Sequence, residues 1–263
     1  MVNVKGLDGK ATSEITLPKV FSTEFRPDLI QRAVLAIQSH KRQPYGVDPR
    51  AGLRSAAHYH GVKDTRGSMK NREMARMPRT HNSSGAQQMR ARIVPQAVSG
   101  RKAHPPKAYK VWAQKLNRKE NKLAVKSAIA ATTMFDLVSS RHNVSEIQLP
   151  IIVTDQLQGI KKTNNLIKIL GTLGCKDDIQ RASVKKIRPG KGTMRGRRYK
   201  RKTSALIVIG DDKGLVKAAS NILGVDVCHV KDLNAELLAP GAQPGRLTIW
   251  SESSIKQLGE IYG

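Results

Sequence analysis

Apolar residues come at two densities along this chain. Near the N-terminus a short hairpin is expected around Gly6 to Gly9, followed by an alternating strand near Glu14 to Leu17. Pro27 then opens a stretch in which Leu29, Ile30, Ala33, Val34 and Ile37 recur at helical spacing, and the fixed φ of proline suits a first turn. From Gln43 to about Pro106 the pattern is lost. Val47, Leu53, Val62, Ile93, Val94 and Val98 are too sparse and irregular to build a buried face, and Gly, Ser, Asn and Pro punctuate the whole run. A run of this length without periodicity is rare inside a compact domain; as a rule it is functional, or ordered only by a partner.

Periodicity returns after Gln114. Asn117 is placed as an N-cap with Glu120 three residues on, close to a capping box. Leu123, Ser127, Ala128, Ala131, Phe135 and Val138 follow at helical spacing as the face turned to the core. The second half alternates between types. Strands are expected at Leu149 to Thr154, Val184 to Ile187, Ser204 to Ile209, Val225 to Val230 and Arg246 to Trp250, with helices around Asn164 to Leu173, from Gly214 to Ile222 and from Ser253 onward. Such alternation predicts an α/β fold: a single Rossmann-like body with a mainly parallel sheet and flanking helices, carrying a long extended basic loop. The chain reads as one domain over residues 1–263, with a long loop inserted at 43–106 and a second basic loop at 185–203.

Charge changes the picture most. The chain has 47 Lys and Arg against 20 Asp and Glu, a formal net charge of +27. Lys41 to Lys126 holds 21 basic and 4 acidic residues, Lys185 to Lys202 holds 10 basic and none acidic, and the remaining residues balance at 16 of each. A neutral protein therefore carries two polycationic insertions. Scattered surface cations would not leave the rest balanced, and a plain linker would carry mixed charge or Gly/Ser composition. Clustered Lys and Arg on this scale is the footprint of a nucleic-acid binder. Lys115, Lys119, Lys122 and Lys126 also step along one stripe of the helix beside its apolar face, where they can follow a phosphate backbone.

Other chemistries are poorly supported. No segment approaches the roughly 18 consecutive apolar residues of a membrane span, and MVNVKGLDGK has no apolar core of an export signal. Cys175 and Cys228 stand alone, which points to a reducing, cytoplasmic setting without a disulfide or thiolate framework. His58, His60, His81 and His104 lie in the long loop, complete no set of four ligands, and read as facing solvent or RNA, so no metal is expected. Gly190, Gly192 and Gly196 do not fit a phosphate-binding P-loop, Gly210 to Gly214 lacks the dinucleotide fingerprint, and no carboxylate sits with a base or nucleophile. No cofactor or catalytic residue is expected. Aromatic residues make up only 4%, which favours backbone and shape recognition over base stacking, with Tyr199 the one candidate stacker in the second loop. Two rivals remain open here. One is an RNA-modifying methyltransferase, which also suits a mainly parallel sheet beside basic segments, and the other is a DNA-packaging protein.

Long blocks carry a family resemblance. HPPKAYKVWAQKLNRKENKLAVKSAIAATT (104–133), KIRPGKGTMRGRRYKRKTSALIV (186–208) and LNAELLAPGAQPGRLTIWSESSIKQL (233–258), with ARMPR (75–79) and VPQAVSGRKAHPP (94–106), resemble large-subunit ribosomal protein four in its archaeal and eukaryotic branch. The resemblance implies a structural, non-enzymatic role. It implies an α/β body on the outside of the large subunit and a loop that runs inward through ribosomal RNA. The loop tip, at about Arg66 to Arg92, would help line the nascent-peptide exit tunnel beside the hairpin of a neighbouring tunnel protein. Arg72, Arg76, Met77 and Arg79 are the tip residues expected to meet the nascent peptide. GSMKNREMARMPR (67–79) departs from the family in lacking its glycine-rich run. The end of the chain soon after Leu258, without the long tail of eukaryotic members, leads us to expect an archaeal source. On the long loop the RNA contacts are assigned to Arg50, Arg54, Lys63, Arg66, Lys70, Arg72, Arg76, Arg79, Arg90, Arg92, Arg101, Lys102 and Lys107. Lys115, Lys119 and Lys122 join them from the helix, and Arg188, Lys191, Arg195, Arg197, Arg198, Lys200 and Arg201 from the second loop.

Overall fold

The computed structural model describes residues 2–81, 85–145 and 147–262. The chain divides into two units, one formed by Met1–Lys41 with Gln114–Gly263 and the other by Arg42–Ala113.

In the first unit β1 (Val2–Lys5) and β2 (Ala11–Ile15) pair antiparallel, and α1 (Pro27–His40) follows. After the second unit come α2 (Arg118–Ala131), α3 (Phe135–Ser139), β3 (Ile151–Val153), α4 (Thr163–Thr172) and α5 (Lys176–Ser183). The small strands β4 (Lys186–Ile187) and β5 (Tyr199–Lys200) are followed by β6 (Leu206–Ile209), α6 (Leu215–Ala219), β7 (Asp226–His229), α7 (Ala235–Leu238), β8 (Thr248–Ser251) and α8 (Glu252–Tyr262). Six strands form one sheet in the order β2-β1-β3-β8-β6-β7, parallel throughout except for the β1–β2 hairpin.

The central strands are apolar at almost every position because helices cover both faces, as a parallel sheet requires. Side chains alternate between two cores. Ile152, Leu206, Val208 and Trp250 point to one, where Ile30, Val34, Ala128 and Leu258 pack from α1, α2 and α8. Ile151, Val153, Ile207, Ile209 and Ile249 point to the other, against Leu166, Leu170, Leu215 and Ala218 from α4 and α6. Trp250 is fully buried and meets the Phe21 ring edge-on at 5.4 Å between centroids. Each such side chain contributes about 1.5–3 kcal/mol on burial.

Four sequence expectations change here. Asn117 does cap α2, but its side chain makes no capping hydrogen bond, and Glu120 instead pairs with Arg32 of α1 at 2.7 Å, so no capping box forms. Leu123 and Phe135 are 41% and 43% exposed. The reason is a break in the helix: the hydroxyls of Thr132 and Thr133 donate back to the Ile129 and Ala130 carbonyls, α2 ends, and α3 starts out of phase. The buried face is Ala124, Val125, Ser127, Ala128 and Ala131, with the Ser127 hydroxyl accepting from the Arg26 N–H at 2.7 Å. The strand expected at Val184 to Ile187 does not join the main sheet; Lys186 and Ile187 pair only with Lys200 and Tyr199. Helices α5 and α7 were not anticipated.

Behind the β4–β5 hairpin lies a buried polar knot. The fully buried Asp178 carboxylate accepts from His142 Nδ1 at 3.0 Å, Arg181 Nε at 2.8 Å, the Ser204 hydroxyl and the Asn143 N–H. Burial alone would raise this carboxyl. The hydrogen bonds from His142, Ser204 and Arg181 outweigh burial and bring it down to about 2. His142 is shifted down, chiefly by burial, so the ring is neutral with Nδ1–H donating to Asp178. Both shifts give the same sign of linkage. As pH falls below the ordinary 6.5 of histidine, the unfolded chain takes up a proton at this residue that the folded chain refuses. Between the ordinary 3.8 of an aspartate and about 2, the same holds at Asp178. Denaturant unfolding of the full chain should therefore lose stability in two steps on acidification, the Asp178 step being about 2 kcal/mol. His142→Gln should abolish the upper step and shrink the lower one, because the hydrogen bond that lowers Asp178 most comes from His142, and an unchanged upper step in that variant would refute the assignment.

Candidate nucleic-acid interface

The hairpin built on β4 and β5 is held by its own backbone. Arg188 N–H donates to the Arg198 carbonyl at 2.8 Å, and the Thr193 hydroxyl donates to the Arg188 carbonyl at 2.6 Å. Arg195 and Arg197 N–H both donate to the Gly192 carbonyl, while Gly190 and Gly196 take positive φ values of 78° and 74° that glycine adopts without strain. These turns leave Lys191, Arg195, Arg197, Arg198, Lys200 and Arg201 exposed, and no cation of the hairpin has a carboxylate partner among the described residues. Arg188 differs from them, since its Nε donates to the Arg197 carbonyl at 3.0 Å and it is partly covered. Tyr199 is 46% exposed with the Arg198 guanidinium 5.8 Å from its ring centre.

The hairpin's root is fixed by cations of a different kind. Arg181 donates to the Thr203 carbonyl at 2.8 Å, Arg141 to the Gln243 and Pro240 carbonyls at 2.7 and 2.9 Å, and the almost fully buried Arg246 to the Ser204 and Leu237 carbonyls and to Asp226. Each is used up by the fold. On α2, Lys119 and Lys122 are exposed, as is Lys115 just before the helix, while Lys126 is half-buried.

The unit Arg42–Ala113 contains neither a helix nor a regular strand among its described residues, yet its chain is closely tied. Val47 N–H donates to the Pro106 carbonyl at 3.2 Å. A Cβ at Gly46 would fall 2.4 Å from Ala108 N, and one at Gly52 would fall 2.6 Å from Arg101 Cα. The two arms thus meet backbone to backbone. At the base of this unit the Arg42 guanidinium lies 3.7 Å from the centre of the Trp112 ring, on which Tyr45 stacks. Farther along, single antiparallel bridges join His58 to Arg79 and Arg79 to Ala91, and Met69 is fully buried.

Fifteen cations stand against three carboxylates in this unit. Arg50, Lys63, Arg66, Lys70, Arg72, Arg76, Arg90, Arg101, Lys102 and Lys107 are exposed; Lys63 lies 3.9 Å from Asp64, and Arg54 pairs with Asp48. Arg79 is engaged internally, donating to the Met89 and Ala75 carbonyls at 2.9 and 3.1 Å, and Arg92 donates to Gln87 at 2.7 Å. Met77 is half-buried. Residues 82–84, inside the span assigned to the tip, lie outside the described residues. The loop histidines are not scattered: His58, His60 and His81 converge, with His104 outside the group. The H-x-H spacing of the first two was the signal in the sequence, and what it lacked was the third ring. Cys175 and Cys228 are buried, and burial pushes their thiols up to about 12 and about 11, so neither is a thiolate near neutral pH. Among the described residues no helix is long and apolar enough to cross a membrane.

Relatives account for this arrangement. Residues 15–261 match the family model described as Ribosomal protein L4/L1 family. The chain is 48% identical over 258 residues to the large ribosomal subunit protein uL4 of Archaeoglobus fulgidus, covering 98% of this chain and 97% of that one. It is 44% identical over 264 residues to uL4 of Methanosphaera stadtmanae, and 46% identical over 259 residues to uL4 of Methanoculleus marisnigri, each alignment spanning at least 97% of both chains. Identity at this level over the whole length sets aside the methyltransferase and DNA-packaging readings. The chain belongs to the ribosomal protein L4/L1 family, alongside archaeal uL4 proteins, and is a structural, non-enzymatic constituent of the large ribosomal subunit.

Proposed function

We propose that this protein holds large-subunit ribosomal RNA through two basic extensions and supports assembly of the subunit by doing so. The observation that carries this reading is the separation of charge: the whole net charge of +27 lies in Lys41–Lys126 and Lys185–Lys202, while the rest of the chain is balanced. Cations used by the body for its own packing, such as Arg141, Arg181 and Arg246, are bonded to backbone carbonyls. Those of the hairpin and most of the Arg42–Ala113 unit face outward with donors free for phosphate oxygens. In this reading the Arg42–Ala113 unit is the long RNA-penetrating loop. Its tip, around Arg72, Arg76 and Met77, reaches the nascent-peptide exit tunnel beside the hairpin of a neighbouring tunnel protein. Arg79 braces the tip from within and does not point into the tunnel.

Replacing residues 42–113 by a short linker should leave the rest of the chain folded, with an unchanged far-ultraviolet circular dichroism per helical residue, and should greatly weaken binding to large-subunit RNA. Binding to phosphates releases counterions, so the slope of log K against log salt should become shallower by roughly 0.7–0.9 for each phosphate that the shortened chain no longer reaches. Undiminished affinity and slope in the truncated chain would exclude the extension as an RNA anchor. The quadruple substitution Arg195→Gln, Arg197→Gln, Arg198→Gln and Arg201→Gln should flatten the slope by about three units without changing unfolding, because these side chains are exposed. A change in affinity that does not vary with salt would instead assign them a role in packing.

A further inference from the structure

We infer that His58, His60 and His81 form a site for a divalent cation of the zinc class, a role that RNA binding neither requires nor supplies. Backbone register brings the three together. His58 and Arg79 exchange N–H to carbonyl bonds of 3.3 and 3.1 Å across an antiparallel bridge. With a side-chain period of two, His60 and His81 fall on the same side of this small ladder as His58. Ring centroids lie 4.3, 4.4 and 4.4 Å apart pairwise, and one ring nitrogen of each residue lies within 4.8 Å of the other two.

The hydrogen bonds assign the lone pairs. His58 Nδ1 is 3.2 Å from the Ala56 carbonyl and His81 Nε2 is 3.3 Å from the His58 carbonyl. A carbonyl only accepts, so these nitrogens carry hydrogen, and His58 Nε2 and His81 Nδ1 are left with lone pairs. Carbonyl-oriented imidazoles of this kind are the usual second layer of a metal site. His58 Nε2 faces His60 Nε2 directly. Since His58 Nε2 offers only a lone pair, this contact is made either by the hydrogen of His60 Nε2 or by a cation shared between the two. A proton can serve one such pair, whereas three converging nitrogens suit a metal ion. At His81 Nδ1 there is room only because position 67 is glycine: a Cβ there would fall 2.6 Å from that nitrogen.

Donor chemistry sets the class of ion. Three imidazoles select zinc, nickel, cobalt or copper over magnesium or calcium, which take oxygen ligands. They leave a fourth position for water or an oxygen anion. Arg66 and Arg72 line the same pocket of about 420 Å³ and favour an anion there. The competing arrangement, protonated imidazoles binding an oxyanion without metal, would take up phosphate and no zinc.

The test uses the full chain, stripped with a chelator and titrated at neutral pH with zinc against a chromophoric indicator, with cobalt in parallel. A single zinc per chain is expected, and cobalt should show the visible absorption of a four-coordinate site. His58→Gln, His60→Gln and His81→Gln should each weaken zinc by about tenfold or more, while His104→Gln should not. Because a variant could instead disturb the local fold, imidazole nitrogen resonances of the unaltered chain provide a second readout: zinc should move those of His58, His60 and His81 and leave His104 in place. Absence of saturable zinc uptake overturns the inference. So does equal loss in the His104 variant, or binding of inorganic phosphate in place of zinc at this cluster.

Discussion

The constraint on which the rest of this molecule depends is that strands β3, β8 and β6 lie parallel and bury both faces. Such strands have no solvent side on which to place a charge, so Ile151 to Val153, Leu206 to Ile209 and Ile249 to Trp250 are apolar without interruption, and helices must cover the sheet above and below. A body built this way tolerates a charged group only where the fold supplies its partners. Asp178 meets the condition with four donors, and Arg246 with three carbonyl groups and a carboxylate. Every other excess cation must be carried outside the packed layers.

That exclusion explains why the sequence is so uneven. Lys185–Lys202 leaves the body between α5 and β6 and returns to it at Ser204, whose hydroxyl donates to Asp178 and whose N–H donates to the Gly224 carbonyl. The hairpin in between answers only to its own turns, so its cations are free of the packing rules that govern the strands on either side. A family whose members serve as constituents of the large ribosomal subunit has use for this arrangement, in which a stable framework and a cationic surface can vary independently.

Legibility in the sequence followed the same division. The parallel strands β3, β6 and β8 and helices α1, α4 and α8 could be read because burial imposes an unbroken apolar run on the strands and a helical period on the helices. Where packing imposed none, reading failed. Val184 and Ile187 are β-branched and flank two lysines, which suggests a strand, yet they are 54% and 66% exposed, since a two-residue ladder needs no buried face. Helices α5 and α7 are short, and α5 mixes Lys176, Asp177, Asp178 and Arg181 with few apolar positions. The phase change between α2 and α3 was hidden because Thr132 and Thr133 end the helix by side-chain bonds that propensity does not reveal. In the basic unit the charges were plain, but which of them are spent internally was not. Arg79 and Arg76 look alike in sequence, and only the Met89 and Ala75 carbonyls distinguish them.

The glycines of the Arg42–Ala113 unit have a further consequence. At Gly46 and Gly52 the two arms touch with no volume for even one methyl group, so each arm is a template for the other. A residue inserted into one arm would slide it along its neighbour and carry a side chain into a slot that holds only hydrogen. Length changes near these contacts are therefore acceptable only in matched pairs, one in each arm. This segment, which looks in sequence like the least constrained part of the chain, is bound by a rule of paired inheritance that the well-packed helices do not face.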